Sequence, residues 1–185
     1  MAVNGKVITG FSMPRYSVIT EGARTAAALA RGVSVSLSIE TGDETIFRAD
    51  NGTAESVGAP FTGGTVTLTV DGLHEAAANA ISGRTAGGGW TEYKSTDEFP
   101  YVSVGFIVRY MSEGVTSYVP VILAKVKFSE PGLEAATQEE AIDFQTQQLE
   151  ATIFENDSYV WKYVGDAESS EADALTALDT KIVTA

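Results

Sequence analysis

Few residues in this sequence are of the types that do chemistry, and their spacing matches no catalytic motif. His74 is the only histidine and cysteine is absent, so a metal site built from several histidines or cysteines is excluded by count. Neighbouring carboxylates at Asp97-Glu98 and Glu139-Glu140 are the residue types that act as general acids and bases. Their positions in the sequence do not bring them into a cleft. We therefore predict a protein that is not an enzyme and uses no cofactor and no metal.

Three short polar stretches invite comparison with ligand-binding loops, and none of them fits. Gly83–Gly89 lacks the Lys-Ser or Lys-Thr pair of a phosphate-binding loop. Thr41–Glu44 and Asp50–Gly52 contain oxygen ligands, but not the spaced acids and final glutamate of a calcium loop. Turns and flexible loops are the simpler interpretation of all three.

The chain is acidic, and its negative charge is concentrated towards the C-terminus. The 185 residues include 25 Asp+Glu and 12 Lys+Arg, a net charge of −13, and 13 of the acids but only two lysines follow Phe128. Proteins that bind nucleic acid tightly use Lys and Arg to displace counterions from the phosphates. The negative net charge therefore argues against a nucleic-acid-binding protein. No apolar run approaches the ~18 residues of a membrane span, and no secretion signal begins the sequence. We expect one domain over residues 1–185, made in a cytoplasm without a membrane partner.

Period-2 alternation of apolar and polar residues predicts a mainly β protein. The clearest patterns span Val33–Ile39, Thr65–Val70, Tyr101–Met111 and Tyr118–Phe128. In the first of them, four aliphatic residues alternate with three serines, which predicts a strand with one buried face. Glu113-Gly114 indicates a turn between the last two, so these are predicted to form a long antiparallel hairpin.

Towards the C-terminus the alternation changes phase and then becomes aromatic. Between Ile142 and Phe154 the apolar positions shift from even to odd numbers near Gln147-Gln148, and one extra residue, a β-bulge, explains such a shift. Tyr159, Trp161 and Tyr163 follow at alternate positions. They are predicted to share one face, which either packs on a sheet or stacks on a ligand.

Two segments have helical periodicity. The Ala-rich segment Leu73–Ile81 has apolar residues at helical spacing, with Asp71 as its expected N-cap and Gly83 at its end. The pair Ser170-Asp173 resembles a helix cap ahead of a second apolar stripe. We therefore predict a flanking helix and a helical C-terminal extension over residues 166–185.

Residues 40–61 lie between two predicted strands and are more numerous than a simple hairpin connection needs. Long loops on compact domains are usually functional or disordered. This segment is therefore a candidate contact arm. From the residues alone, the chain is a mainly β domain with two helices, a long arm and no visible active site.

Several motifs, taken together, resemble those of one protein family. In the family's order they run from about Lys6 to Val164, and they include the segments Gly32–Ser38, Phe47–Gly52, Pro100–Phe106, Ala124–Pro131, Gln138–Glu140 and Phe144–Thr146. The sequence resembles the major tail proteins, or tail tube proteins, of long-tailed non-contractile phages (siphophages) of Gram-positive hosts. It departs from the family pattern at Ser82–Thr96 and at Gln147-Gln148.

The resemblance implies both a fold and a function. The fold is a β-sandwich or partly open barrel of antiparallel strands with a flanking α-helix and a short C-terminal helix. The implied function is that of a virion structural protein whose subunits form hexameric rings, with sheets that continue from one subunit to the next. These rings stack into the hollow tail tube through which DNA passes during ejection. The implied partners are other copies of the chain, a tape measure protein, tail-tip and tail-terminator proteins, and phage DNA in transit without specific binding. The implied location is the phage tail, after synthesis in the host cytoplasm.

Two groups of residues are candidate sites in such a tube. Small polar side chains suit a water-filled bore, and strand faces lining the lumen or joining subunits would comprise Ser34, Ser36, Ser38, Thr65, Thr67, Thr69, Lys125 and Lys127. An arm that contacts the next ring would comprise Asp43, Glu44, Phe47, Arg48, Asp50, Asn51 and Glu55. Whether the acidic C-terminal third faces the lumen is left open by the sequence.

Other functions remain open at this point. A secreted β-sandwich adhesin or carbohydrate-binding module would use the Tyr159, Trp161 and Tyr163 stripe to stack on sugar rings. The inner tube protein of a contractile injection system would share the architecture but need an exterior that binds a sheath. An enzyme would need a deep pocket that gathers His74 or a pair of carboxylates with shifted pKa values.

Overall fold

A computed structural model describes residues 5–49, 52–132 and 145–185. The strands are β1 Val7–Val18, β2 Ala27–Ala28, β3 Gly32–Thr41, β4 Thr45–Ala49, β5 Gly52–Val57, β6 Phe61–Val70, β7 Ala86–Gly87, β8 Trp90–Thr91, β9 Val102–Ser112, β10 Val115–Phe128, β11 Gln147–Phe154 and β12 Lys162–Val164. The helices are α1 Glu75–Ser82 and α2 Glu171–Ile182. Neither of these described helices is long and apolar enough to cross a membrane.

Eight strands form one antiparallel sheet in the order β2-β1-β9-β10-β11-β6-β3, with β12 beside β10. The pairs β4–β5 and β7–β8 form separate hairpins. The large sheet curls until β1 and β3 touch, but no ladder of hydrogen bonds joins these two strands. The sheet is therefore partly open, and the predicted fold class, an antiparallel mainly β fold with two helices, is confirmed.

The main core fills the concave inner face of the curled sheet. Along β6 the side chains alternate as predicted, because Val66, Leu68 and Val70 are fully buried while the threonines between them point outwards. Residues of β9, β10 and β11 complete this core with the same alternation. Its buried members are Tyr16, Leu29, Val66, Leu68, Val70, Ala77, Ile81, Val102, Val104, Phe106, Val108, Val119, Val121, Leu123, Val126, Phe128, Leu149, Ala151 and Ile153.

Helix α1 forms where its periodicity predicts, but its N-cap is a different residue. Asp71 does not cap the helix, because it accepts hydrogen bonds from the backbone N and the Nε of Arg31. Nδ1 of His74 accepts instead from the backbone N–H of Ala76, at 3.3 Å. The helix ends at Gly83, whose φ of 70° gives the left-handed C-cap expected there. The one histidine of the chain thus has a structural role.

Helix α2 packs on the outer face of the sheet, which the alternation of β9 alone did not predict. Ser170 caps it by accepting from the N–H of Asp173 at 3.2 Å, as expected. Its buried residues Ala174, Leu178 and Ile182 form a second core with Ile107 and Ile122. Both faces of β9 are therefore buried where the helix crosses it.

Polar contacts also tie α2 to the sheet. Arg15 of β1 forms an ion pair with Asp179 at 2.9 Å. Nη1 of Arg24 donates to the carbonyl oxygen of Ala185 at 2.8 Å, and Nη2 donates to Ser103 Oγ at 2.5 Å. Burial of the Arg24 guanidinium lowers its pKa. These contacts fix the C-terminal end of the helix against β9.

The β-bulge predicted at Gln147-Gln148 is absent from the described part of β11, and register shifts occur in other strands. Strand β11 pairs with β6 in unbroken register from Gln147 onwards, so no bulge is present at Gln147-Gln148. Ile142 lies outside the described residues. The register of β10 against β9 shifts instead between Leu123 and Val126, which keeps both of these side chains in the inner core.

Replacing Leu178 tests whether α2 belongs to the folded core. Leu178→Ala removes a fully buried side chain from the second core, and we expect the free energy of unfolding to fall by about 3 kcal/mol. The exposed Thr180→Ala on the same helix should change it by less than about 0.5 kcal/mol. Urea unfolding followed by circular dichroism gives both values. Equal stability of the two variants would mean that α2 is not integral to the fold.

Candidate assembly surface

Strand β3 leaves one of its edges unpaired. Its partner on one side is β6, from Gly32↔Val70 to Thr41↔Phe61. No other described strand pairs with its second edge. Such an edge presents a row of backbone N–H and C=O groups that another strand can bind.

The aliphatic face of β3 is exposed, which makes the prediction of a half-buried strand wrong. Val33, Leu37 and Ile39 keep 55%, 36% and 37% of their surface accessible. Only Val35 packs partly against the main core. The alternation correctly places the aliphatic residues on one face. The end strand β3 approaches β1 where Gly32 meets the Phe11 ring, and this approach leaves Val33, Leu37 and Ile39 accessible. An apolar face on an open edge is a signature of an interaction surface.

Strand β1 has a matching open edge. On its outer side β2 pairs only with Arg15 and Tyr16, so its first half, up to Ser12, has no ladder partner there among the described strands. Val7 and Ile8 in this half are 63% and 64% exposed. The two open edges of β1 and β3 therefore flank one seam in the curled sheet.

The opposite face of the β3 side of the sheet is covered with hydroxyl groups. Cross-strand pairs place Ser34 beside Thr69, Ser36 beside Thr67, and Ser38 beside Thr65. The last row continues through Thr152 of β11 to Lys127 of β10. Directly paired residues point to the same face of a sheet. The structure thus brings together Ser34, Ser36, Ser38, Thr65, Thr67, Thr69 and Lys127 on one outer face, which α2 does not cover.

Lys125 lies at the border of this hydroxyl face, in a basic and aromatic corner. It pairs with Phe154 in the ladder, and its Nζ lies 4.7 Å from the ring centroid of Tyr101. Lys127 Nζ lies 5.5 Å from the same ring, and Tyr101 meets Phe154 edge-on at 5.6 Å. Cation–π contact of this kind holds the two lysines over the aromatic pair.

The segment predicted to be a long contact arm contains the β4–β5 hairpin. Thr45 pairs with Val57, and Phe47 pairs with Glu55. This hairpin forms a sheet of its own. Asp43 and Glu44, at its base, are exposed. Of the remaining residues proposed for the arm, Arg48 lies on β4, and Asp50 and Asn51 fall outside the described residues.

The three aromatic residues near the C-terminus do not share a face, so that prediction is wrong. Trp161 stacks on Phe61 with ring centroids 4.9 Å apart and packs on the main core. Tyr163 packs on the second core across the sheet. Tyr159 is 81% exposed in a turn at a φ of 60°. Because the chain leaves regular strand geometry before Trp161, the alternation no longer decides which side the rings take.

The carboxylates with shifted pKa values are committed to arginines and backbone groups. The backbone N–H of Lys94 and the side chain of Arg84 lower the pKa of Asp97. The Arg31 side chain lowers the pKa of Asp71. Asp97 is therefore held in an ion pair, whereas its neighbour Glu98 is exposed. Among the described residues, no group of acids or histidines could hold a metal ion. Glu139-Glu140 lies outside those residues.

Arg84 is the centre of an ion-pair cluster that holds the loop after α1. Its Nε donates to Asp97 at 3.0 Å and its Nη2 donates to Glu130 at 2.7 Å, and 9% of its side chain is accessible. Its guanidinium carbon lies 3.9 Å from the ring centroid of Tyr93. The Glu130 carboxylate is the main cause of its raised pKa. This cluster fixes the β7–β8 hairpin, with Trp90 exposed on it, and neither feature was found by sequence analysis.

The Arg84 cluster predicts a pH dependence of stability. Since folding lowers the pKa of Asp97 from 3.8, its carboxylate stabilises the folded state above that pH, and the contribution is lost as the pH falls through the lowered pKa. Asp97→Asn should therefore be less stable than the wild type at pH 6, with a smaller difference at pH 3. Urea unfolding at the two pH values measures this. The exposed Glu98→Gln is the control, and an equal difference for both variants at both pH values would contradict the assignment.

The sequence matches no protein-family model and no curated protein. The surfaces described above are therefore the basis for function. They comprise an apolar open strand edge, a second open edge across the seam, a hydroxyl-covered face and the separate β4–β5 hairpin. The four aliphatic residues of Val33–Ile39 are the signal in the sequence for the first of these surfaces, but their alternation is equally typical of a strand face buried in a core.

Proposed function

We propose that this chain is a structural subunit that assembles with copies of itself into stacked rings, and that the stacked rings form a hollow tube of the siphophage tail type. The observation that carries the proposal is the exposed aliphatic face on the unpaired edge of β3. A monomer that leaves this edge uncovered is exposed to uncontrolled strand pairing. Assembly with a second copy covers both the backbone edge and the aliphatic side chains.

The two open edges of the seam support a ring rather than a symmetric dimer. An edge of β3 that pairs with the different edge of β1 in the next copy makes a heterologous contact, and repeated heterologous contacts close into rings or extend as filaments. Val7 and Ile8 on β1 and Leu37 and Ile39 on β3 would then be buried together. Sheets joined in this way leave no free edge in a closed ring.

The hydroxyl face suits the lumen of such a tube. Six serine and threonine hydroxyls on β3 and β6 are neutral and small, and they lie on the face opposite the proposed contact. Glu150, which pairs with Thr67 on the same face, adds a negative charge. DNA exchanges few counterions with hydroxyl groups and carboxylates, so these groups do not retain it. Lys125 and Lys127 are the positive groups at this face, and both are drawn towards the Tyr101 ring. DNA in transit, a tape measure protein, and tail-tip and terminator proteins are the partners of the proposed tube in the virion.

Electron microscopy across a concentration series, with analytical ultracentrifugation in parallel, tests the proposal. We expect rings or tubes of uniform diameter from the wild type. Leu37→Lys places a charge on the exposed aliphatic face and should leave monomers, because that charge would be buried without a partner in the contact. Ser36→Lys, on the opposite face of the same strand, is the matched control and should assemble.

Circular dichroism must first show that both lysine variants fold. Val33→Lys, at the most exposed of the aliphatic positions, replaces Leu37→Lys if the latter unfolds. Wild-type protein that stays monomeric at every concentration, or Leu37→Lys that forms normal rings, would overturn the proposed contact.

Removing the arm gives an independent prediction about stacking. The β4–β5 hairpin pairs with itself and not with the large sheet, so a deletion of residues 43–57 should leave the fold intact. We expect the deleted protein to keep its thermal unfolding transition but to form no tubes. Tubes of normal length from the deletion variant would show that the arm has no part in polymerisation.

A further inference from the structure

Four buried side-chain atoms in the described part of the chain have no hydrogen-bond partner, and all four lie where β1 and the connection after it face helix α2. They are Arg15 Nε, Ser17 Oγ, Arg24 Nε and Asp179 Oδ1. Buried polar groups are nearly always hydrogen-bonded, either to protein or to ordered water. Four such atoms in one layer therefore indicate a ligand that supplies their hydrogen bonds.

Strand β1 directs Arg15 and Ser17 towards the helix. Tyr16, the residue between them, packs in the main core on the inner face of the sheet, so its two neighbours lie on the outer face. Arg15 pairs with Gly105 of β9. A Cβ atom at Gly105 would lie 3.0 Å from Leu178 Cδ2. Helix α2 therefore lies directly over this part of the two strands.

Two of the four atoms belong to Ser17 and Arg24, and Ser103 lies beside both of these residues. Ser17 pairs directly with Ser103, and both are fully buried. Directly paired residues point to the same face of a sheet. Nη2 of Arg24 donates to Ser103 Oγ at 2.5 Å, and Ser103 Oγ in turn donates to the carbonyl oxygen of Ala124 at 2.6 Å. Because Nε belongs to the same planar guanidinium as Nη2, its N–H lies in the neighbourhood of the Ser17 hydroxyl.

The other two atoms belong to an ion pair that makes one of its two available contacts. Nη2 of Arg15 lies 2.9 Å from Asp179 Oδ2. A guanidinium and a carboxylate can form two parallel hydrogen bonds, but Nε and Oδ1 of this pair have no partner among the described residues. A buried donor and a buried acceptor thus lie at the same ion pair without direct contact.

The donors and acceptors in this layer determine which chemical class of ligand fits. The two Nε groups only donate, Asp179 Oδ1 only accepts, and the Ser17 hydroxyl can do either. The two guanidinium charges disfavour a cation, and an anion cannot donate to the carboxylate oxygen. Water both donates and accepts, and a buried water typically bonds to about three polar groups. Water is therefore the small ligand that can satisfy all four atoms.

We propose that the layer between β1 and α2 binds ordered water at two positions. One water accepts from Arg24 Nε and donates to Ser17 Oγ. The other accepts from Arg15 Nε and donates to Asp179 Oδ1. The two waters complete the polar attachment of α2 to β1. The site lies within one copy of the chain, so it goes beyond the proposed function and does not depend on it.

Removing the Ser17 hydroxyl gives opposite results with and without a bound water. If the hydroxyl binds a bridging water, Ser17→Ala removes a hydrogen bond, and the equilibrium constant for folding should fall by about five-fold. A buried hydroxyl without any partner is destabilising, so its removal would instead raise that constant. Urea unfolding followed by circular dichroism, at a protein concentration below that of any assembly, measures the change. A constant that is unchanged or raised would overturn the water proposed at Ser17.

Ser36→Ala is the matched control. Ser36 lies on strand β3 and is exposed, so the same change is made where no buried hydrogen bond is lost. We expect its folding constant to stay within about two-fold of the wild-type value. The effect of Ser17→Ala is measured relative to this control, which corrects for the different strand propensities of serine and alanine.

A crystal structure at a resolution that shows ordered water tests both positions directly. We expect one water within hydrogen-bond distance of Arg24 Nε and Ser17 Oγ, and another between Arg15 Nε and Asp179 Oδ1. A direct hydrogen bond within either pair would overturn the water proposed for that pair. Soaking the crystals in bromide separates water from an anion, because an anomalous peak beside Arg24 Nε would overturn water as the ligand there.

Discussion

Phe11 of β1 lies against Gly32 at the start of β3, and this close approach sets how far the sheet can curl. A side chain at position 32 would collide with the Phe11 ring, so glycine there allows the two end strands to meet. Their meeting encloses the main core between strands that are far apart in sheet order. Because the contact is made by side chains and not by a ladder, the seam stays open on either side of it.

The open seam determines which surfaces the monomer exposes. Along β6, β9 and β11, the curled sheet and α1 cover the inner side chains, so the apolar residues at alternate positions are buried. Along β3 the same alternation continues, but the layer that would cover Leu37 and Ile39 is missing in a single copy. The exposed aliphatic face and the open edge of β1 are consequences of one incomplete closure.

The two helices divide the remaining surface. Helix α2 covers the outer face over β1, β9 and β10, where Ile107 and Ile122 form the second core. It leaves the outer face of β3 and β6 to serines and threonines, and that of β11 to Gln148, Glu150, Thr152 and Phe154. Helix α1 is followed by the connection that Arg84 fixes through two carboxylates and an aromatic ring. Polar groups in this protein thus position a loop and a helix, while apolar burial holds the sheet together.

The sequence by itself determined the elements that depend on local periodicity and capping. The alternation of Thr65–Val70, the Glu113-Gly114 turn and the Ser170 cap all follow from contacts within a few residues, and all are present. Tertiary structure decided everything that depends on what lies opposite a face. The alternation predicts that Leu37 and Ser36 point to opposite faces of the sheet. Which of the two faces is buried depends on the arrangement of the other elements. It also decided that Trp161 and Tyr163 pack on different sides of the sheet, and that His74, not Asp71, caps α1, since Asp71 is engaged by Arg31 forty residues away in sequence. Burial and long-range pairing are properties of the folded chain, because they depend on contacts with residues that are distant in the sequence.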